Sequence, residues 1–356
     1  MELVVGGVGL AVCGIIVLLG LLKNHMNGGV CRITKRLDGK TVVITGANTG
    51  IGKETARDLI KRGARVVLAC RDRLRGEEAV QELCSEVGKP GLVALYKLDL
   101  ANISSIHTFV EEFISKEERL DILINNAGVM WCPYARTDDG FEMQIGVNHL
   151  GHFLLTNLLL DKMVASSPSR IINLTSIAHY DKRALLNFDD LMNENNYQPA
   201  IAYAQSKLAN VLFTKELARR LEGTGVTANA VHPGVVRTEL GRYMDILKRP
   251  MVRYFLFPML QPIIWLVTKS PTQGSQTSIY CAVADELVKT SGKYFSDCAE
   301  KDAAIFANDE ESAKRLWEMS EKLVHLDDVS LSKKPASSTA ASDEESSQVN
   351  VSSNGP

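Results

Sequence analysis

The segment from Lys40 to Gly52 constrains this chain more than any other. Lys40-Thr-Val-Val-Ile-Thr45 reads as a short buried strand, apolar and β-branched. It runs straight into Gly46-Ala-Asn-Thr-Gly50-Ile-Gly52 and then into Lys53–Arg62, which has helix-forming composition. A strand, a glycine-rich turn and a helix in this order form a dinucleotide-binding opening. The glycines let the backbone turn tightly and approach a pyrophosphate resting at the positive end of the helix dipole. The spacing is Gly-x-x-x-Gly-x-Gly, not the better-known Gly-x-Gly-x-x-Gly.

A βαβ alternation follows. Ala64–Cys70 reads as a strand, Gly76–Val87 as a helix, Leu92–Leu98 as a strand, Ile103–Glu118 as a helix and Leu120–Ile124 as a strand. Strands separated by helices of this length imply a parallel sheet covered on both faces, an α/β fold of the Rossmann type. Ligands in such sheets sit at the carboxyl ends of the strands. Polar or glycine residues fall at those ends: Gly46, Arg71, Asp99 and Asn125-Asn-Ala-Gly128, with Ser176 after a further strand, Arg170–Leu174. In Ala202–Leu221, a predicted helix, Tyr203 and Lys207 are four residues apart and share a face. An ammonium beside a phenol favours the phenolate and is expected to lower its pKa, which suits proton exchange with a carbonyl oxygen.

Thr45–Gly52, Asn125-Asn-Ala-Gly128, Asn148, Ser176, Tyr203-x-x-x-Lys207 and Pro233-Gly234 together resemble the short-chain dehydrogenase/reductase superfamily over roughly residues 38–326. Leu68-Ala-Cys-Arg-Asp72, Val147-Asn-His-Leu-Gly-His-Phe153 and His232-Pro-Gly-Val-Val-Arg-Thr238 are similar to its retinol dehydrogenase 11–14 group. The resemblance implies that Tyr203 is the general acid and that Lys207 holds the nicotinamide ribose. It implies that Ser176 hydrogen-bonds the substrate oxygen and that Asn148 supports a water relay to Lys207. Gly46, Asn48, Thr49, Gly50, Ile51 and Gly52 would line the pyrophosphate, Asp99 the adenine, and Asn125, Ala127 and Gly128 the neighbouring strand end. Pro233, Gly234 and Thr238 would flank the nicotinamide. A homodimer through the helices carrying Tyr203 is also implied; nothing else in the sequence points to one.

Two features depart from compact members of the superfamily. Thr175 stands where a first Ser is often found, and the gap from Ser176 to Tyr203 is long. The extra stretch, His179–Pro199, suits a surface excursion and a substrate-site wall equally. Cofactor choice follows from the second strand, which ends Cys70-Arg71-Asp72. An acidic residue at this tip would bind the 2′-hydroxyl of NAD, whereas a guanidinium suits the 2′-phosphate of NADP. Arg71 therefore favours NADP(H), with Arg73 and Lys53 as further positive charge; Asp72 either caps the next helix or binds a ribose.

The chain has 356 residues and a net charge of −2, room for one large α/β domain and no sign of nucleic-acid binding. Its seven scattered cysteines contain no Cys-x-x-Cys pair, and His149, His152, His179 and His232 lack metal-ligand spacing. No metal is expected.

Leu3–Leu22 carries no charge and is long enough to cross a bilayer; Lys23, Arg32, Lys35 and Arg36 follow. The expected organisation is a membrane anchor at 1–22, a basic linker at 23–37, a catalytic domain at 38–326 and a disordered Ser-, Asp- and Glu-rich tail at 327–356. The basic flank places the catalytic domain in the cytosol. The resemblance implies the endoplasmic reticulum, with the mitochondrial inner membrane as the alternative. Met251–Val267 is a second apolar segment, in which Pro258 and Pro262 argue against a spanning helix. It occupies a lid position after Thr238, and Trp265 is its candidate substrate contact.

The expectation is a membrane-anchored NADPH-dependent reductase of retinal, reversible to retinol oxidation, the retinoid coming from the resemblance. Lipid-derived aldehydes or steroid ketones are the alternative substrates. A non-catalytic NADPH-binding scaffold and a nucleotide-sugar epimerase are the competing classes.

Overall fold

The computed structural model describes residues 17–243 and 257–326, together with Gly355. Eight strands form one sheet: β1 (Thr41–Thr45), β2 (Arg65–Cys70), β3 (Val93–Lys97), β4 (Ile122–Asn125), β5 (Ser169–Leu174), β6 (Val226–His232), β7 (Tyr294–Ser296) and β8 (Ala299–Lys301). Their order is β3-β2-β1-β4-β5-β6-β7-β8, and every pairing is parallel except β7 with β8. Every residue of β1, β4 and β6 is buried. That is why these strands read as continuous apolar or small runs rather than as alternation.

The helices are α1 (Gly50–Lys61), α2 (Arg73–Val87), α3 (Ile103–Lys116), α4 (Gly151–Ala165), α5 (Pro199–Arg220), α6 (Phe257–Val267), α7 (Gln276–Val283) and α8 (Glu310–Leu323). One core layer packs α1, α2 and α7 against the sheet. The opposite layer packs α3, α4, α5 and α8. Between β1 and β4 the strand order reverses direction, which opens a crevice at the strands' carboxyl ends.

The predicted elements are present with shifts of a few residues. The main shift is at α1, which begins at Gly50 because the glycine turn is itself its first turn. Asp72 settles as the cap of α2: its carboxylate accepts the Arg75 N–H at 3.1 Å.

α8 was not anticipated. Its Trp317 is buried against Phe153 of α4 and Phe213 of α5, with ring centroids 4.9 and 5.8 Å away, and the Arg220 guanidinium lies 4.2 Å from its ring centre. α8 thus packs against α4 and α5.

Residues 1–16 of the expected anchor, residues 244–256, which include 251–256 of the lid segment, and the tail apart from Gly355 lie outside the described residues. Residues 17–27 form a helix that continues past Lys23. Among the described residues no helix is long and apolar enough to cross a membrane.

Candidate active site

The crevice is organised by Thr45, the last residue of β1. Its Oγ1 accepts the N–H groups of both Asn126 and Ala127 at 2.9 Å, which holds the turn after β4 against the glycine loop. His152 of α4 stands behind it. Its Nδ1 faces the Asn148 carbonyl at 3.0 Å, so Nδ1 carries the proton, and Nε2 accepts from the Thr45 hydroxyl at 2.9 Å. Burial pushes the His152 imidazole down to about 4, so it is neutral at physiological pH.

Gly46 adopts φ +64°, open to glycine without strain, and its N–H bonds Ala69 O at 2.8 Å. A Cβ on Gly52 would stand 2.6 Å from Asn126 Nδ2 and 2.7 Å from Gly46 O. The loop is therefore packed to backbone contact, leaving a concavity that opens on the N-terminus of α1. Above it lies a cleft of about 340 Å³ lined from Gly46, Asn48, Thr49, Gly50 and Ile51 across to Arg71 and Asp99 at one end. At the other end it reaches Ala127, Gly128, Ser176, Tyr203, Lys207, Pro233, Gly234 and Thr238. A glycine cradle on a helix N-terminus, continued by a long cleft at the switch point, fits a dinucleotide.

Tyr203 and Lys207 are buried on α5, facing the end of β5. Lys207 Nζ lies 3.3 Å from Leu174 O and 5.7 Å from the centre of the Tyr203 ring. Burial pushes the Tyr203 phenol up to about 12, with the nearby Ser176 hydroxyl pulling it down, and pushes the Lys207 ammonium down to about 8. The expected lowering of the phenol by Lys207 is thus corrected. In a dry site desolvation penalises both charged forms and outweighs their mutual attraction.

Thr175, the departure from the usual Ser, lines the cleft, and its hydroxyl donates to Lys207 O at 2.7 Å, tying β5 to α5. Asn148 sits in a π-turn, Gly146–Leu150, wholly buried. Its Oδ1 accepts from Val129 N–H at 2.8 Å, and its Nδ2 donates to Val129 O and Ser206 Oγ at 2.9 Å. It fastens the wall beside Gly128 and does not line the cleft itself. Asn125 likewise lies beneath the site, donating to Thr156 and Asn173 side chains at 2.9 and 2.7 Å.

Trp265 requires a correction. It does not line the cleft; it lies on α6, 47% exposed, with Lys23 Nζ 5.0 Å from its ring centre. Nor does any residue of 179–199 line it. Lys53 and Arg73 are engaged by Glu82 and Glu77 at 2.7 and 2.8 Å, away from the cleft. Arg71 is exposed at the cleft's end and, among the described residues, makes no ion pair.

Sequence reasoning gave Thr45 and Arg75 no role at the site, and read His152 and His232 only as local hydrogen-bonding residues, as His152 is. Arg75 lines the cleft and forms a two-pronged pair with Glu239, at 2.9 and 2.7 Å, across its mouth. His232 is buried beside the cleft, its imidazole pushed down to about 4 by burial first and then by the Lys269 charge. Only the strand–loop context of Thr45 could have flagged any of them; the others depend on partners far away in sequence.

The short chain dehydrogenase family pattern matches residues 40–189 and 190–245. Human retinol dehydrogenase 13 is 54% identical over 316 residues, covering 88% of this chain and 93% of that protein. Human retinol dehydrogenase 12 is 51% identical over 305 residues, 86% of this chain and 92% of that protein. The crystal structure of an uncharacterised Mycobacterium paratuberculosis protein, 35% identical, superposes with a TM-score of 0.65 over 84% of this chain and 98% of that one. The glycine cradle, the switch-point cleft and these matches agree: the chain is an oxidoreductase of the short-chain dehydrogenase family, its relatives the retinol dehydrogenases 11–14.

Proposed function

We propose that this chain is a membrane-associated, NADPH-dependent oxidoreductase that reduces retinal to retinol, reversibly. The observation that carries the reading is the convergence of Ser176, Tyr203 and Lys207 at one end of a cleft whose other end finishes at Arg71. The retinoid rests on the names of the relatives, which are retinol dehydrogenases.

A bound nicotinamide supplies the hydride. Ser176 Oγ donates a hydrogen bond to the carbonyl oxygen and stabilises the charge that develops there. The Tyr203 phenol, protonated at neutral pH because burial raises it, gives its proton to the same oxygen. Lys207 brings positive charge to the phenolate that remains and reaches the cofactor ribose. Gly46, Asn48, Thr49, Gly50 and Ile51 hold the pyrophosphate, Asp99 faces the adenine, and Pro233, Gly234 and Thr238 flank the nicotinamide. Asn148, Asn125 and Gly52 position these residues from beneath. Arg71 reads the 2′-phosphate; Asp72, beside it in the cleft lining, accepts the Arg75 N–H through one carboxylate oxygen.

Membrane association rests on the uncharged Leu3–Leu22 run and its basic flank, with the catalytic part on the cytosolic face of the endoplasmic reticulum. The mitochondrial inner membrane is the alternative, and fractionation decides between them.

The test is NADPH oxidation by detergent-solubilised protein with all-trans-retinal, beside NADH and a Tyr203→Phe control. Turnover that prefers NADPH and vanishes in the variant is expected. Tight NADPH binding without turnover of retinal would shift the substrate to lipid-derived aldehydes or steroid ketones. Absence of turnover with any carbonyl would leave a binding protein.

A further inference from the structure

Of the three residues that converge at the catalytic end of the cleft, Ser176 alone is carried by no long element. Tyr203 and Lys207 lie within the 22-residue helix α5, whereas β5 ends at Leu174 and Ser176 stands where the chain leaves the sheet. Part of its support is its own hydroxyl. Ser176 caps a 3₁₀ turn, Ile177–Tyr180, and its Oγ accepts the Ala178 N–H at 3.2 Å. The hydroxyl proton is left to donate into the cleft.

His179 holds the main chain of the same serine. Ser176 O accepts both the His179 backbone N–H, at 3.1 Å, and the imidazole Nδ1, at 2.6 Å. A carbonyl only accepts, so Nδ1 carries the proton. On the other side of the ring Nε2 faces the Ala304 N–H at 3.2 Å, and a backbone N–H only donates, so Nε2 carries none. Two partners thus specify one neutral tautomer, and burial, which lowers the imidazole, keeps it neutral.

The ring is fully buried, its centroid 4.1 Å from that of Tyr180 and 4.9 Å from that of Tyr294. The Tyr180 hydroxyl donates to Asp302 O, so residues 302–304 grip the turn twice. They follow β8, and Ala304 lies 125 positions beyond His179. Neither His179 nor residues 302–304 line the cleft, so their influence on a bound carbonyl passes through Ser176. A donor aimed at developing charge is effective only where its placement is fixed beforehand.

We propose that His179 is a positioning residue for Ser176. As an Nδ1-protonated imidazole strung between Ser176 O and Ala304 N–H, it fixes the serine hydroxyl beside Tyr203 and makes residues 302–304 part of the site's support. The catalytic half of this statement rests on the proposed reductase activity; the hydrogen-bonded bridge does not.

The test is a double-mutant cycle on the detergent-solubilised full chain with NADPH and all-trans-retinal. His179→Phe keeps a ring between Tyr180 and Tyr294 but removes both hydrogen bonds. It is expected to lower kcat roughly tenfold to a hundredfold, the scale of a misplaced catalytic group, with the Kd for NADPH unchanged. Added to Ser176→Ala, the same change should cost less than about twofold, because the hydroxyl it positions is already gone. His179→Asn, whose amide puts a donor near the Nδ1 position, should recover most of kcat. Equal losses in the two backgrounds overturn the proposal, as does an Asn variant no better than the Phe one. A loss confined to NADPH binding overturns it too, leaving His179 a role in the fold alone. The bridge is also read without turnover. Long-range proton–nitrogen spectra of protein with nitrogen-labelled histidines, in which His179 is assigned by its loss in His179→Asn, should show a proton on Nδ1 and none on Nε2. A proton on Nε2 overturns the bridge. That spectrum decides the matter if His179→Phe does not fold, or if the unmutated chain reduces no carbonyl, an outcome that fells the reductase reading by itself.

Discussion

At Tyr203 and Lys207 burial acts on both partners at once. The phenol rises to about 12 and the ammonium falls to about 8, so at neutral pH the site holds a proton ready to give. Carbonyl reduction is therefore expected to hold level through the neutral range, whereas retinol oxidation, which needs the phenolate, should climb with pH. Initial rates in both directions from about pH 6 to about pH 9 check this, and an oxidation rate that falls over that range contradicts it. Arg71 carries the second residue-scale prediction. Arg71→Ala should raise the KM for NADPH roughly tenfold to a hundredfold, the worth of a charge-assisted hydrogen bond, with little change for NADH. Equal effects on both cofactors would remove Arg71 as the phosphate reader. That Ser176, Tyr203, Lys207 and Arg71 meet along one cleft was legible in the sequence, from their positions after a strand or along a helix face. Arg75 was not, since its partner Glu239 lies 164 residues away.

Elements show where pattern is informative and where it fails. The strands and α1–α3 stand out because apolar runs are bounded by glycine or polar turns. α4 carries buried residues around nearly its whole circumference, so it has no amphipathic stripe to read. Yet α4 supplies His152, and through Thr45 it holds the turn after β4. Replacing Thr45 by Val keeps the shape but removes the acceptor of two N–H groups and the donor to His152. The expected cost is about 1–3 kcal/mol of stability, with a raised KM for the cofactor and little change in kcat at saturation. Chemical denaturation and cofactor titration of Thr45→Val check both; unchanged values would mean that the loop keeps its shape without the clasp.

Among the described residues, four buried imidazoles link folding to acidity: His149, His152, His179 and His232 are all lowered by burial. Burial pushes His149 down to about 3, and His152 and His232 to about 4, against an ordinary value of 6.5. The unfolded chain therefore binds these protons first as pH falls. Stability is fully present above about pH 6.5 and is lost towards pH 4, each histidine contributing at most about 1.4 kcal/mol per pH unit. Thermal unfolding across this window should show a falling Tm, less steep in His149→Gln; a flat profile would refute the linkage.

The sequence alone determined the parallel α/β architecture, the glycine cradle, and the placing of Ser176 after a strand and of Tyr203 and Lys207 on one helix face. These depend on turn geometry, helix period and strand ends, which act over a few residues. Tertiary structure alone decided that α8 packs against α4 and α5, that Trp265 does not line the cleft, and that Lys23 caps α6. It also decided that burial raises the Tyr203 phenol and lowers the Lys207 ammonium. Each of these depends on which distant groups pack together and how much water they exclude, and no local period records that.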